Sequence, residues 1–254
     1  MAHAEERRAD MIALPPSITL VMMDCTCPDL ARLALTDTLQ QVEPVKTLVF
    51  SNVDLGVPNT EHHQLAQWRS VKEFCYFHWY ALPSYVETSH VLTIQWDGWV
   101  LDGSLWDDRF ADYDWIGAPW DYPEFNVGNG TGIRSMRLMR HLASNARKYP
   151  LLTDMPEDAL VCCRYRRDLE RDGFRWPSEQ LAARFAFETV RPAEDSRHFM
   201  FHWLCNFPAV LSVERLAERL RLMQASDYVR QNKLWQFGKE QAKVVPRLAE
   251  IACD

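Results

Sequence analysis

An α/β fold with a mostly parallel central sheet flanked by helices is predicted from three features of the sequence. Apolar runs of strand length recur at Ser17 to Met23, Val45 to Phe50 and His90 to Gln95. Each is apolar at successive rather than alternate positions, as in strands covered on both faces. Helical spacing fills the intervals between them, and each run ends in polar residues, where such a sheet binds its ligands.

The first helix is expected over Pro28 to Leu39. Leu30, Leu33, Leu35 and Leu39 recur at roughly helical spacing, and Pro28 suits a first turn. A second runs from Ser70 to Leu82, with Val71, Phe74, Phe77, Trp79 and Tyr80 apolar and Pro83 marking its end. The texture changes after Asp97. Trp99 to Trp120 reads as short strands and turns rich in Trp, Asp and Tyr. A glycine-dense loop, Asn126-Val-Gly-Asn-Gly-Thr-Gly132, precedes an amphipathic helix from Ser135 to about Arg147. Pro156-Glu-Asp158 opens another helix to about Asp168, and Ala182 to Glu188 and Phe199 to Leu204 read as short strands. Residues 1–16 are expected to form a polar arm, 17–208 a single domain, and 209–254 helices packed back on that domain.

Composition narrows the function. The chain has 254 residues, a net charge of -7, 47% hydrophobic and 25% charged residues. This is globular composition, and the acidic balance argues against nucleic acid or an anionic membrane as partner. The basic runs Arg164 to Arg167 and Arg215 to Arg221 read as solvated helix faces. Ten tryptophans suit either a sugar-stacking site or an aromatic core. Seven cysteines cannot all pair, and Cys25-x-Cys27 lacks zinc-ligand spacing. Reduced thiols, a charged start without a signal-peptide core and no apolar run of about 20 residues lead to the expectation of a cytoplasmic protein without a membrane span.

Several residues could carry chemistry. Asp97 follows a buried strand, so its carboxylate is delivered to the sheet edge, as a hard-cation ligand or as a cap on the turn at Gly98. Gly128, Asn129 and Gly130 could cradle phosphate with backbone N–H groups, or simply turn sharply. They match neither a P-loop nor a dinucleotide fingerprint. Glu157 and Asp158 could supply a general base or start a helix. His202, in an apolar stretch, could be a core residue or a ligand. Asp24 and Asp54 follow the first two strands and could meet a nucleoside or cap turns.

The strings Gln95-Trp-Asp-Gly-Trp-Val-Leu-Asp102, Asp112-Tyr-Asp-Trp-Ile-Gly-Ala-Pro-Trp120, Val127-Gly-Asn-Gly130 and Arg134-Ser135 resemble DUF5672, a bacterial family placed among GT-A-type glycosyltransferases. The likeness runs from about Ser17 to Pro208. It implies a GT-A-like domain using a nucleotide-sugar donor, a UDP-sugar, and an acceptor hydroxyl on a glycan or small molecule. It further implies a divalent metal, manganese or magnesium, held by Asp97 as the last acid of a D-x-D motif and by His202 after Phe201. Asp158, beside Glu157, matches the catalytic base of inverting relatives. Asp24, Asp54, Gln95, Trp96 and the Gly128 to Gly130 segment would line the donor site, with Trp96, Trp99 and Trp120 as stacking walls. This chain departs from the family pattern in two places. Gln95 stands at the first D-x-D position, and Gly128 to Ser135 is one residue shorter and lacks an aromatic. Two rival functions are a nucleotidyltransferase, whose basic glycine loop is missing after the first strand, and a non-catalytic carbohydrate- or partner-binding module.

Overall fold

A computed structural model describes residues 11–68, 70–120, 127–152, 155–189 and 197–231. Six strands form the central sheet: β1 (Ile18–Asp24), β2 (Lys46–Ser51), β3 (Glu61–Gln64), β4 (His90–Ile94), β5 (Trp115–Pro119) and β6 (Val127–Ser135). Their spatial order is β3-β2-β1-β4-β6-β5. The first four pair in parallel, and β6 pairs antiparallel with both β4 and β5. Only β6 therefore runs against the rest, and the sheet is mostly parallel, as expected.

Covering on both faces explains the apolar runs. All seven residues of β1 are buried. Leu20 and Met22 pack into one core with Leu92 and Ile94, while Val21 and Met23 pack into another with Leu48 and Phe50. Helix α1 (Pro28–Leu39) covers the first face. Helix α2 (Val71–Tyr76), which continues as a π-turn over Phe77–Ala81, and helix α3 (Met136–Ser144) cover the other side.

Strand β3 was not anticipated. Glu61, His62, His63 and Gln64 are polar and partly exposed because the strand lies at the sheet edge, where one side needs no apolar cover. Edge charges are met locally: Lys46 Nζ lies 3.1 Å from Glu61 Oε2.

The glycine-dense segment requires a correction. Residues 127–135 are the buried strand β6 and not a loop; Asn126 lies outside the described residues. The bare backbone lets β6 lie close against β5, since a Cβ on Gly117 would stand 1.8 Å from the Gly128 carbonyl oxygen. Residues 182–185 are likewise the end of a helix, α6 (Glu179–Phe185), preceded by the short helices α4 (Glu157–Ala159) and α5 (Arg166–Arg171). The extended part that follows is β7 (Ala186–Phe187), parallel to β8 (Met200–Phe201).

Helices α7 (Phe207–Val210), α8 (Val213–Ala225) and α9 (Asp227–Gln231) follow. Arg219 is not on a solvated face as expected. Its guanidinium is 1% exposed, lies 4.2 Å over the Trp99 ring and donates to Asp37 of α1 at 2.5 Å. One buried cation thus clamps α8 onto α1. Among the described residues no helix is long and apolar enough to cross a membrane.

Candidate functional site

Strand order reverses direction between β1 and β4, and the crevice beyond their carboxyl ends is where an open α/β sheet binds ligands. Asp24 ends β1. Gln95 and Trp96 follow β4, with a tight turn closed by paired hydrogen bonds between Gln95 and Gly98. A cavity of about 170 Å³ sits there, lined by Asp24, Thr26, Trp68, Gln95, Trp96 and Tyr228 among others. Tyr228 arrives from α9, whose preceding Ser226 hydroxyl lies 3.3 Å from Cys27 Sγ. Helix α9 therefore forms part of the crevice wall.

Asp24 lines this cavity, and its carboxylate also closes the turn that leads into α1. Its Oδ1 accepts from the Thr26 amide at 2.8 Å and the Cys27 amide at 2.5 Å. Burial pushes its pKa up to about 6, against those hydrogen bonds and aided by the charge of Asp97. Asp54 differs: it is exposed, accepts from the Gly56 amide at 2.9 Å and does not line the cavity. Trp99 is a core residue, 2% exposed and edge-on to Phe201 at 4.4 Å between centroids, so it offers no stacking wall.

Asp97 is 9% exposed, and its Oδ1 has no hydrogen-bond partner among the described residues. The nearest basic atom is His202 Nε2, 3.7 Å away. On the other side of the ring, His202 Nδ1 lies 2.6 Å from Glu188 Oε1, and Glu188 in turn accepts from the Trp120 indole N–H. The parallel pairing of β7 with β8 accounts for this contact. Ala186 and Phe187 are in register with Met200 and Phe201, so Glu188 and His202 are the next residues along. Gly98 makes room for the imidazole: a Cβ there would stand 2.9 Å from His202 Cδ2.

Burial disfavours a charged imidazole, but Asp97, Glu188 and Asp158 outweigh it and lift the His202 pKa to about 9. Burial raises the carboxyl of Asp97, and Glu188 adds to it against the pull of His202. Glu188 is held below the usual carboxylate range, because His202 and the Trp120 hydrogen bond overcome the effect of burial. Asp158 is pushed up to about 7, first by burial and next by the charge of Glu157. Glu188 and His202 also act on it electrostatically. Asp97, His202, Glu188 and Asp158 thus share one electrostatic neighbourhood although they come from four separate parts of the chain.

Glu157 is not free to act with its neighbour. Its Oε1 lies 3.1 Å from Arg134 Nη2 and 2.9 Å from His78 Nδ1, and its Oε2 accepts the Asp158 amide at 2.8 Å. Arg134, wholly buried in β6, also donates to Thr93 Oγ1 and to the Gly130 carbonyl at 2.7 Å, and stacks 4.1 Å over Trp115. The pair fastens α4 to the sheet, next to Asp158 in the chain.

Gly130 does face the site, through its lack of a side chain. A Cβ there would approach Gln95 Nε2 at 3.2 Å, and Gln95 Nε2 donates to the Gly130 carbonyl at 3.4 Å. Gly128 instead lies under the Trp120 ring, and Asn129 is buried at a φ of 95°. Gly128 and Asn129 sit within a strand, not in a phosphate loop ahead of a helix. Glu188, Trp68 and Tyr228 were not singled out from the sequence, since nothing in their local spacing distinguishes them.

A divalent cation would fit between Asp97 and His202 by displacing the imidazole proton that otherwise pairs the two. The buried Asp97 oxygen is orphaned, the facing imidazole nitrogen is within reach of one ion bonded to both, and Glu188 holds the opposite ring nitrogen as carboxylates do behind histidine ligands. Among the described residues no group of three or more His, Cys, Asp or Glu could hold a metal, so a substrate or water would complete the shell.

The family described as "Protein of unknown function (DUF5672)" matches residues 56–200, more than half of the chain. No curated protein matches. Among solved structures, an active-site mutant of LgtC is 14% identical with a TM-score of 0.44, covering 82% of this chain and 96% of that one. The galactosyltransferase LgtC in complex with donor and acceptor sugar analogs is 13% identical with a TM-score of 0.40, covering 73% and 86%.

Proposed function

The chain belongs to the DUF5672 family, and we propose that it is a GT-A-like glycosyltransferase that moves a sugar from a UDP-sugar to an acceptor hydroxyl with inversion. One observation carries this reading: at the switch point of the sheet, an orphaned Asp97 oxygen faces His202, whose far side is held by Glu188, while the raised carboxyl of Asp158 lies in the same electrostatic neighbourhood.

In this reading Asp97 and His202 hold a divalent cation, manganese or magnesium. When bound, it neutralises the charge that develops on the diphosphate leaving group. The cavity between Trp68, Trp96 and Tyr228 takes the nucleoside, and Gln95 borders the diphosphate. Asp158 accepts the proton of the acceptor hydroxyl as its oxygen bonds to the anomeric carbon. The bond from that carbon to the phosphate oxygen breaks on the opposite face, and the nucleoside diphosphate departs. Glu157, fixed by Arg134 and His78, holds Asp158 in place and lifts its pKa.

Calorimetric titration with UDP-sugars, with and without manganese, tests the reading. Asp97→Ala should abolish metal-dependent nucleotide binding; wild-type protein that binds no nucleotide sugar would support a non-catalytic module. Glu188→Gln keeps the shape but weakens the support behind His202. It should lower manganese affinity by roughly 10- to 100-fold, and unchanged affinity would remove Glu188 from that role.

A further inference from the structure

The string Asp112-Tyr-Asp-Trp-Ile-Gly-Ala-Pro-Trp120 takes its acidic start away from Asp97, to the opposite end of the sheet. Its Asp114 precedes β5, beside Ser135 at the end of β6 and His90 at the start of β4. The five residues of β4 put this end roughly 17 Å from the Asp97 edge, at about 3.3 Å per residue. A cavity of about 610 Å³ opens there, lined by His90, Asp112, Asp114, Arg137, Arg140 and Arg175 among others.

Its charges do not balance. Asp114, 4% exposed, accepts from the Ser135 hydroxyl at 2.5 Å, from Arg137 Nη2 at 2.6 Å and from the Arg175 amide at 2.9 Å. That carboxylate neutralises Arg137. Arg140 donates to the Val86 carbonyl at 2.7 Å, and Arg175 to the Asp112 carbonyl. Among the described residues neither guanidinium has a carboxylate partner. Asp112 is exposed, and burial keeps His90 neutral by lowering its pKa against the pull of Asp114. The amino end of α3, where the Ser135 hydroxyl caps the Leu138 amide and the Met136 amide donates to the Ser89 carbonyl, contributes Met136 and Arg137 to the same wall.

We propose that this cavity is a second binding site, for a small molecule bearing a phosphate group. Three arginines against the two carboxylates Asp112 and Asp114 leave the lining one net positive charge, and the two guanidinium groups with no bonded carboxylate offer donors that match phosphate oxygens. The volume lies within the range of small-molecule sites, about 300–1,000 Å³. The site is separate from the proposed transfer centre and does not depend on it.

Titration of the full chain with inorganic phosphate in metal-free buffer, with malonate as a carboxylate comparison, tests the proposal. Phosphate should bind the wild type, and Arg140→Gln/Arg175→Gln should weaken it at least ten-fold. Asp97→Asn should bind phosphate as the wild type does. Both arginines are exposed, so circular dichroism should show the double variant folded; Arg140→Gln alone should still lose about three-fold. No measurable phosphate binding, undiminished binding by the variants, or malonate binding as tightly as phosphate would overturn it.

Discussion

Asp158→Asn is expected to lower sugar transfer by about 10²- to 10⁴-fold, the usual contribution of a positioned general base, while donor binding stays near its wild-type value. The substitution keeps size and hydrogen-bonding capacity but removes the ability to take a proton. Because Asp97 and His202 are untouched, the loss should appear in kcat and leave donor affinity intact. The wild-type pH profile carries the same information. Burial and the adjacent Glu157 charge push the Asp158 pKa up to about 7. Only its deprotonated form accepts a proton, so transfer should climb as pH rises through about 7 and level off above. A variant within three-fold of wild type, or a flat profile between about pH 5.5 and 8.5, would remove Asp158 from this role.

Arg134→Met is expected to cost about 3–5 kcal/mol of stability, the range for breaking a buried ion pair by deleting one partner. The guanidinium is 0% exposed and meets Glu157, Thr93, the Gly130 carbonyl and the face of Trp115. Methionine fills much of the volume but leaves the buried Glu157 with only the Asp158 amide and His78, whose burial still disfavours a compensating positive charge once Arg134 no longer lowers its pKa. Glu157→Gln introduced together with Arg134→Met should recover part of the loss, since no uncompensated charge then remains. Urea denaturation of the three proteins measures this. A loss below about 1 kcal/mol for Arg134→Met would show that the network does not hold α4 to the sheet.

Local pattern made some elements legible and hid others. β1, β2 and β4 are read directly because burial on both faces demands unbroken apolar sequence, and α1 because its leucines repeat at helical spacing. β3 was hidden by its polar edge. β6 was hidden by its glycines: they are poor strand formers in general, and here they are needed because β5, Gln95 and Trp120 approach too closely for side chains. Arg219 looked like part of a charged helix face, and only its place over Trp99 and beside Asp37 explains its burial.

The site divides in the same way. Chain order alone puts Asp24 and Asp97 at the carboxyl ends of parallel strands, because a strand's direction determines which end its last residue occupies. Chain order could not pair Glu188 with His202, which meet through the register of two two-residue strands. Nor could it separate Glu157, consumed by Arg134 and His78, from Asp158 next to it. Asp54, at a strand end like Asp24, turns outward to cap Gly56. By itself, then, the sequence determined the parallel core and the edge at which a ligand would sit, since both follow from hydrophobic burial along one strand at a time. Which carboxylates face one another, and which are already spent on buried cations, was decided only by tertiary structure, because ion pairing and desolvation depend on distances between residues far apart in the chain.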